Sequence, residues 1–467
     1  MDFAAIILAA GLGKRMKSAT PKVMHKICDK IMVSYVIDAV EALSPKKIVV
    51  VVGYGGGMVE SELAAVAEIV YQDEQLGTGH AVKVAQEAFK DYHGQVLILS
   101  GDTPLIESET LKKLIEKREE NDAVAAILTA RAEDPSGYGR VIFNDDQEVM
   151  GIVEERDATE QELKIDIINA GMYCIKRDEL FLALEKTSNE NDQKEYYLTD
   201  VIRILSDDGK QVISVEVDET QTMGVNSRVQ LAEAEAIIQD KIKREHMLNG
   251  VTFFLPETSF IGKDVKIEND TMVYPNSFIY GSTVIGKECE IGPSVKIKDT
   301  KVGDKTTIQF SSLNASVIDD NVVVGPFASL RPGTHIKSGG KAGTFVEIKK
   351  STVGKNSKVP HLSYIGDTEI GEHVNIGAGS ITCNYDGVNK WGAVIEDDVF
   401  IGSDTMIISP VRIGAGSMTG AGSVISKDVP KNGLGIERSH QKNIEGWAKK
   451  HREKAAKKHK RGGTDSK

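Results

Sequence analysis

The sequence predicts two architectures in series: a doubly wound, Rossmann-like α/β domain, then a parallel β-helix of hexapeptide repeats. Three observations carry this. Short apolar runs at 3–9, 48–52, 96–99 and 124–129 alternate with helical stretches such as 32–43 and 79–90. That is the pattern of a mostly parallel sheet with helices on both faces. From Ile261 an aliphatic residue then returns every six positions, at Ile267, Val273, Ile279, Ile285, Ile291 and Ile297. Such a fixed beat marks a triangular coil in which one side chain per short strand points into a narrow core. Between the two, residues 228–249 are charged and free of Gly and Pro, as in a solvent-facing helix that joins domains. The expected division is 1–227, a linker helix over 228–250, a β-helix over 251–446, and a basic, disordered tail over 447–467.

Composition narrows the classes of function. The 467 residues carry 57 Lys and Arg against 69 Asp and Glu, a net charge of −12. Residues 447–461 hold eight Lys or Arg and one Glu, so the rest is more acidic still. An acidic body argues against nucleic acid as a partner, and the basic tail reads as a solvated terminus. Cys28, Cys174, Cys289 and Cys383 are far apart and match no metal-ligand spacing, so they read as reduced thiols in the cytoplasm. The apolar start lacks a positive leader and runs into a Gly turn, so it reads as a buried strand. No run of eighteen apolar residues offers a membrane span.

In a sheet of this kind ligands bind beyond the carboxyl ends of the strands, which directs attention to the loops at 9–22, 72–79 and 100–104. The first reads Leu8-Ala9-Ala10-Gly11-Leu12-Gly13-Lys14-Arg15-Met16, with Pro21-Lys22 following. It is not a dinucleotide fingerprint, because Met16 stands where a third Gly belongs. It is not a Walker loop either, because Leu8 and Arg15 stand where Gly and Ser or Thr belong. Small residues here allow close approach of a nucleotide, and Arg15 and Lys22 can neutralise phosphates; alternatively they are a turn and two solvated cations. Gln72 and Gln75-Leu76-Gly77-Thr78-Gly79-His80 suit contact with a base or sugar, or simply start a helix. Asp102 at a strand end suits Mg²⁺ on a phosphate, or caps the next turn.

Together these loops resemble the sugar-1-phosphate nucleotidylyltransferases. Gly137-Tyr138-Gly139-Arg140, Ile152-Val153-Glu154-Glu155, Ile168-Asn169-Ala170-Gly171 and Gly224-Val225-Asn226 continue the pattern in order. The resemblance implies that Leu8, Ala9, Ala10, Gly11, Lys22, Gln72, Gly77 and Thr78 surround a uridine nucleotide. It implies Gly139, Glu154 and Asn169 at the sugar, Asp102 and Asn226 at Mg²⁺, and Arg15 at the triphosphate, with Arg15 and Lys22 catalytic. Lys14 and Ala170 stand where that family usually has Thr.

The six-residue beat returns at Val324, Leu330 and Ile336, at Val353, Val359 and Ile365, and from Ile395 to Ile413 and Ile425. It breaks between Ile381 and Ile395, which predicts an inserted loop, and loops on rigid scaffolds carry function. Around the break stand Arg331, Lys349, His361, Tyr364, Asn375 and Lys390, a set able to hold a sugar phosphate and deprotonate its amine. His361 alone reads as a solvated corner residue. Joined to the N-terminal half, however, the chain resembles the bacterial bifunctional uridyltransferase/acetyltransferase family from residue 3 to about 446. That resemblance implies a left-handed β-helix and His361 as catalytic base. It implies Arg331, Lys349, Tyr364, Asn375 and Lys390 on glucosamine-1-phosphate, and Ala378, Asn384, Tyr385, Ser403, Ala421 and Arg438 on acetyl-CoA. Pro360 and Glu437 depart from the small residues usual there.

The expected function is therefore double: acetyl transfer from acetyl-CoA to glucosamine-1-phosphate, then transfer of UMP from UTP to N-acetylglucosamine-1-phosphate. The product is UDP-N-acetylglucosamine, for peptidoglycan. The resemblance further implies Mg²⁺, small-molecule substrates and a homotrimer through the β-helix, with no membrane partner. The alternative keeps the nucleotidyl transfer and makes the β-helix an assembly or regulatory domain.

Overall fold

The structure is a computed structural model that describes residues 1–461 apart from Leu12 and Tyr54, with side chains of the last helix described to Lys457. Gly462 to Lys467, the end of the expected tail, lie outside the described residues. The chain divides into two compact units, Met1–Asn269 with Val273–Thr283, and Asp270–Met272 with Val284–Lys467.

In the first unit the apolar runs form one twisted sheet. Its strand order is Val212–Val217, Ala125–Arg131, Ile167–Lys176, Gln95–Ser100, Phe3–Ala9, Ile48–Val52 and Glu68–Tyr71. The central Phe3–Ala9 strand pairs in parallel with both neighbours, and only Ile167–Lys176 among these seven runs antiparallel to its neighbours. Alternation of side chains sends Phe3, Ala5 and Ile7 to one core and Ala4 and Ile6 to the other, as a strand covered on both faces requires. The expected helix at 32–43 is Met32–Glu41. The one at 79–90 is Thr78–Val84 followed by a 3₁₀ turn, Gln86–Phe89.

The linker is the helix Arg228–Leu248, capped by Ser227, whose side chain accepts from Gln230 N. It does not stand free. Gln239 Nε2 donates to Ile261 O at 2.6 Å and Gln239 Oε1 accepts from Ile261 N at 3.0 Å. Glu235 Oε1 accepts from Cys28 N at 3.1 Å, and Lys263 N donates to Cys28 O at 3.0 Å. The hairpin Lys26–Ile31 and the first coil thus share one anchor, the buried middle of this helix. That is why the compact unit runs on to Thr283 and does not end near residue 250.

In the repeat the beat is a core. Ile261, Ile267, Val273, Ile279, Ile285, Ile291 and Ile297 are each at most 7% exposed. Where the sequence loses the beat, burial continues in a different step: Val302, Ile308, Leu313, Ile318 and Val324 are all buried. The five-residue steps to Val302, Leu313, Ile318, Val353 and Ile370 each contain a non-glycine residue at positive φ. These are Asp299, Phe310, Ala315, Lys350 and Asp367, with φ of 44–50°. Six-residue steps carry a left-handed residue too, as at Asp270, Asn276, Glu288 and Ser294, but three positions after the core residue, whereas in the five-residue steps it stands two positions after. The hexapeptide coils of the second unit stack as parallel strands of a left-handed β-helix, in register such as Glu347↔Tyr364 and Asn375↔Phe400.

The tail differs from expectation over its described part. Trp447–Arg461 is a helix, exposed through Lys457. Lysine, arginine and alanine are strong helix formers even without a packed face, and Trp447 stacks on His451 at 4.8 Å.

Candidate active sites

The first site is built at the carboxyl ends of the parallel strands. Leu8, Ala9, Ala10 and Gly11 leave the central strand. Gln72, Gly77 and Thr78 follow the edge strand, and Asp102 follows Gln95–Ser100. All eight, with Lys22, line one cavity of about 320 Å³. Lys22 Nζ donates to Asn226 Oδ1 at 2.9 Å and also to Asp102 Oδ2. Asp102 O accepts from Val225 N at 2.8 Å, and Asn226 N donates to Gln230 Oε1 at 2.9 Å. The loop bearing Asn226 is thereby fixed to Asp102 on one side and to the linker helix on the other.

Two anionic or dipolar oxygens converging on one ammonium are a donor set that fits a hard cation. Among the described residues no cluster of three His, Cys, Asp or Glu side chains could hold a metal. A cation here would take one carboxylate and one amide oxygen from the protein, as Mg²⁺ on a phosphate does.

The glycines of the second loop have a different reason from the one the sequence suggests. Tyr196 O accepts from Gly79 N and Tyr196 N donates to Leu76 O, both at 2.8 Å. Thr78 Oγ1 accepts from Leu198 N at 3.0 Å. The segment before the Thr199–Asp207 helix is thus strapped across the loop. Gly77 has φ +110°, and a Cβ there would lie 2.5 Å from Tyr196 O. Backbone alone excludes a side chain at this point, while Gly77 still lines the cavity. Gln72 is buried and donates to Gly77 O at 3.2 Å, holding the loop from beneath.

The expected sugar residues stand apart from this cavity. Asn169 N donates to Gly139 O at 2.9 Å, and Asn169 Nδ2 donates to Tyr173 Oη at 2.7 Å. Glu154 lines a second cavity of about 550 Å³ with Tyr197, Thr199 and Asp200. Burial raises its pKa, Thr199 Oγ1 opposes this by donating to it at 3.1 Å, and Asp157 and Asp200 add to the rise. Arg15 is exposed on a 3₁₀ turn, outside the lining of the first cavity. Gln75, Ser100 and Glu195 line that cavity but were not singled out as site residues. Ser100 is the last residue before the motif Gly101-Asp102, a readable signal; Glu195 arrives on the strap and carries none.

The second site lies in the β-helix unit. Arg331 Nη1 meets Glu347 Oε1 at 2.8 Å, and Glu347 pairs in register with Tyr364. Lys349, in register with Gly366, has its pKa lowered first by the neighbouring Lys390, then by desolvation, with Arg331 adding repulsion and Asp367 opposing it. Ammonium groups held this close call for an anion between them. The expected insertion is present: the chain leaves the coil after Ile381–Cys383 and returns at Ala393–Ile395. Asp386 ties it down, accepting from Val388 N, Asn389 N and Trp391 Nε1 at 2.8, 2.6 and 2.7 Å. A Tyr385↔Lys390 bridge then delivers Lys390 to Lys349.

His361 ends the strand Lys358–His361 opposite Thr344, with an exposed side chain at the corner before Tyr364. Pro360 does not break this strand, and Gly343 opposite leaves room for the Pro360 carbonyl, which a Cβ would meet at 2.0 Å. Asn375 sits one coil on, opposite Lys358. The residues expected at acetyl-CoA fall in two groups. Asp404 N donates to Ala378 O at 2.7 Å, Gly422 N to Ser403 O at 2.8 Å, and Arg438 Nη1 to Ala421 O at 3.0 Å, so Ala378, Ser403, Ala421 and Arg438 climb a single corner. Asn384 is instead buried, donating to Asp367 Oδ2 at 2.5 Å, with Tyr385 exposed beside it.

Comparison with known proteins covers both halves. A nucleotidyl transferase family model matches residues 4–221, and a bacterial transferase hexapeptide model of six repeats matches 264–299 and 392–427. The chain is 48% identical over 450 residues to the Bifunctional protein GlmU of Heliobacterium modesticaldum, spanning 96% of this chain and 98% of that protein. It is 46% identical over 447 residues to the protein of that name from Halalkalibacterium halodurans, spanning 96% and 98%. To that of Carboxydothermus hydrogenoformans it is 48% identical over 445 residues, spanning 95% and 99%.

Proposed function

The chain belongs to the bifunctional GlmU family, and from that premise we propose how its residues divide two reactions. It is an enzyme that acetylates glucosamine-1-phosphate with acetyl-CoA, then joins the product to UMP from UTP, releasing pyrophosphate and UDP-N-acetylglucosamine. The observation that carries the reading is the first cavity, where Lys22, Asp102 and Asn226 converge beside the small-residue loop.

In the first unit, a phosphate oxygen of N-acetylglucosamine-1-phosphate attacks the α-phosphorus of UTP and pyrophosphate leaves. Lys22 and Arg15 neutralise charge that develops on the phosphates. Asp102 and Asn226 would hold Mg²⁺, which supplies further neutralisation of phosphate charge when bound. Gly139, Glu154 and Asn169 orient the sugar. Glu154 accepts hydrogen bonds from the sugar hydroxyls.

In the second unit, Arg331, Lys349 and Lys390 bind the phosphate of glucosamine-1-phosphate, while Tyr364 and Asn375 orient the ring. His361 removes a proton from the amine, which attacks the thioester carbonyl of acetyl-CoA as the thiol departs. Ala378, Ser403, Ala421 and Arg438 line the carrier's path along their corner, with Asn384 and Tyr385 at the insertion. A homotrimer is supported by an exposed column of corner residues beside His361. Phe327 stacks there on Phe345 at 5.4 Å and meets the tilted ring of Phe310 at 5.7 Å, the kind of apolar surface that a second copy covers. Four free cysteines and the lack of a membrane-crossing helix among the described residues support the cytoplasm.

The test is one assay with glucosamine-1-phosphate, acetyl-CoA, UTP and Mg²⁺, following free CoA and pyrophosphate separately. Both should appear. Pyrophosphate release only with supplied N-acetylglucosamine-1-phosphate, and no CoA release, would leave the β-helix an assembly domain.

A further inference from the structure

We propose that Glu195 is a specificity-determining residue of uridylyl transfer, its carboxylate accepting a hydrogen bond from a neutral N–H or O–H of the nucleoside. The assignment rests on the nucleotide reading of the first cavity, which Glu195 lines together with Leu8, Gly11, Lys22 and Asp102.

Its backbone is held from both sides. Asn191 Nδ2 donates to Glu195 O at 2.6 Å, and Glu195 N donates to Asn191 Oδ1 at 3.1 Å. The next residue is the strap itself, since Tyr196 N donates to Leu76 O and Tyr196 O accepts from Gly79 N. Among the described residues, Glu195 forms hydrogen bonds through its backbone only. Glu195 is half-buried and lines the cavity, and a carboxylate there with no hydrogen-bond partner among the described residues has its accepting capacity left for the ligand.

Its place along the cavity selects the part of the ligand. Lys22, Asp102 and Asn226 gather at the end of Gln95–Ser100, on one side of the central strand. Glu195 lies over the loop that follows the edge strand on the other side: a Cβ on Gly77 would come within 2.9 Å of its own Cβ. A triphosphate cannot occupy both sides, because a carboxylate repels it where an ammonium attracts it. The nucleoside therefore meets Glu195. Uracil offers an N3–H donor where cytosine offers a lone pair, and ribose offers hydroxyls that a deoxyribose lacks. A charged acceptor paired with such a donor, or left facing a lone pair, discriminates strongly.

The experiment measures kcat/KM for pyrophosphate release from UTP, CTP and 2′-deoxy-UTP, with N-acetylglucosamine-1-phosphate, in the full chain and in Glu195→Ala. The variant should lose about 10–100-fold on UTP and nearly nothing on the nucleotide that lacks the donor. A collapsed UTP/CTP ratio assigns the imide N–H; a collapsed ratio of UTP to its 2′-deoxy analogue assigns the ribose. Ratios within about 2-fold of the parent in both pairs, including an equal loss on all three nucleotides, would overturn the proposal. If Glu195→Ala fails to fold, by thermal unfolding and by acetyl transfer, Glu195→Gln carries the comparison. It keeps one acceptor and adds an N–H donor, and one of the two ratios should still fall by about 3-fold or more. No pyrophosphate from UTP in the parent chain would instead sink the nucleotidyl-transfer reading, and this assignment with it.

Discussion

Lys22, Asp102 and Asn226 are widely separated in sequence yet share one ammonium. Asp102 stands out in the sequence as a carboxylate at a strand end, which suits either a cation or a turn cap; Asn226 stands out only through its motif. Replacing Asp102 with Ala should cut pyrophosphate release by about 10²–10³-fold or more and leave CoA release unchanged. Undiminished pyrophosphate would remove Asp102 from the site. His361→Ala should do the reverse, lowering CoA release by about 10²–10⁴-fold with little change in glucosamine-1-phosphate affinity. A loss below about 3-fold would make His361 a corner residue. Glu154 makes a pH prediction. Burial raises its pKa, so between the unfolded and folded values the native state keeps a proton that the unfolded chain has lost. Stability from this group therefore falls as pH rises through that window. Glu154→Gln removes the titration while still accepting from Thr199. Its melting temperature relative to the parent should rise as pH increases above the ordinary glutamate value of about 4.3; a flat difference would show that Glu154 is not perturbed.

At the scale of elements, the repeat was the most legible feature and also the place where reading failed for a definable reason. A six-residue beat is visible because each strand commits one aliphatic residue to the core, as at Ile261 to Ile297. A five-residue step is invisible, since Asp299, Ala315 and Lys350 give no sign in a sequence that the left-handed corner will come two residues after the core position and not three. The strap over the nucleotide loop was equally hidden. Nothing near Gly77 announces that Tyr196 will pack its backbone against it; the sequence offers only ligand contact or the start of a helix. Gly77→Ala separates backbone packing from ligand contact. At φ +110° with Tyr196 O 2.5 Å from the new Cβ, the variant should lose about 1–3 kcal/mol of stability, with a raised KM for UTP and normal acetyl transfer. A raised KM with unchanged melting would return the glycine to the ligand.

For the molecule as a whole, the boundary read from composition lies near residue 227 or 250, and the physical one does not. A helix looks like a linker when its sequence is charged and lacks Gly and Pro, yet Ala234, Ile238, Gln239 and Ile242 are buried in it. Its contacts bear on the first site. Gln230 Oε1 accepts from Asn226 N at 2.9 Å, Arg228 Nη1 lies 3.3 Å from His25 Nδ1, and Glu235 and Gln239 hold Cys28 at the tip of the hairpin after Lys22. A fragment ending at residue 227 deletes all of these partners, leaving buried donors unpaired at about 1–3 kcal/mol each and freeing the loop that carries Asn226. A fragment of residues 1–283 keeps them, because the compact unit closes at Thr283. The shorter fragment should melt roughly 5–10 °C below the longer one and release pyrophosphate more slowly. If the two matched in melting and rate, the helix would be a linker after all, and Asn226 would owe nothing to Gln230.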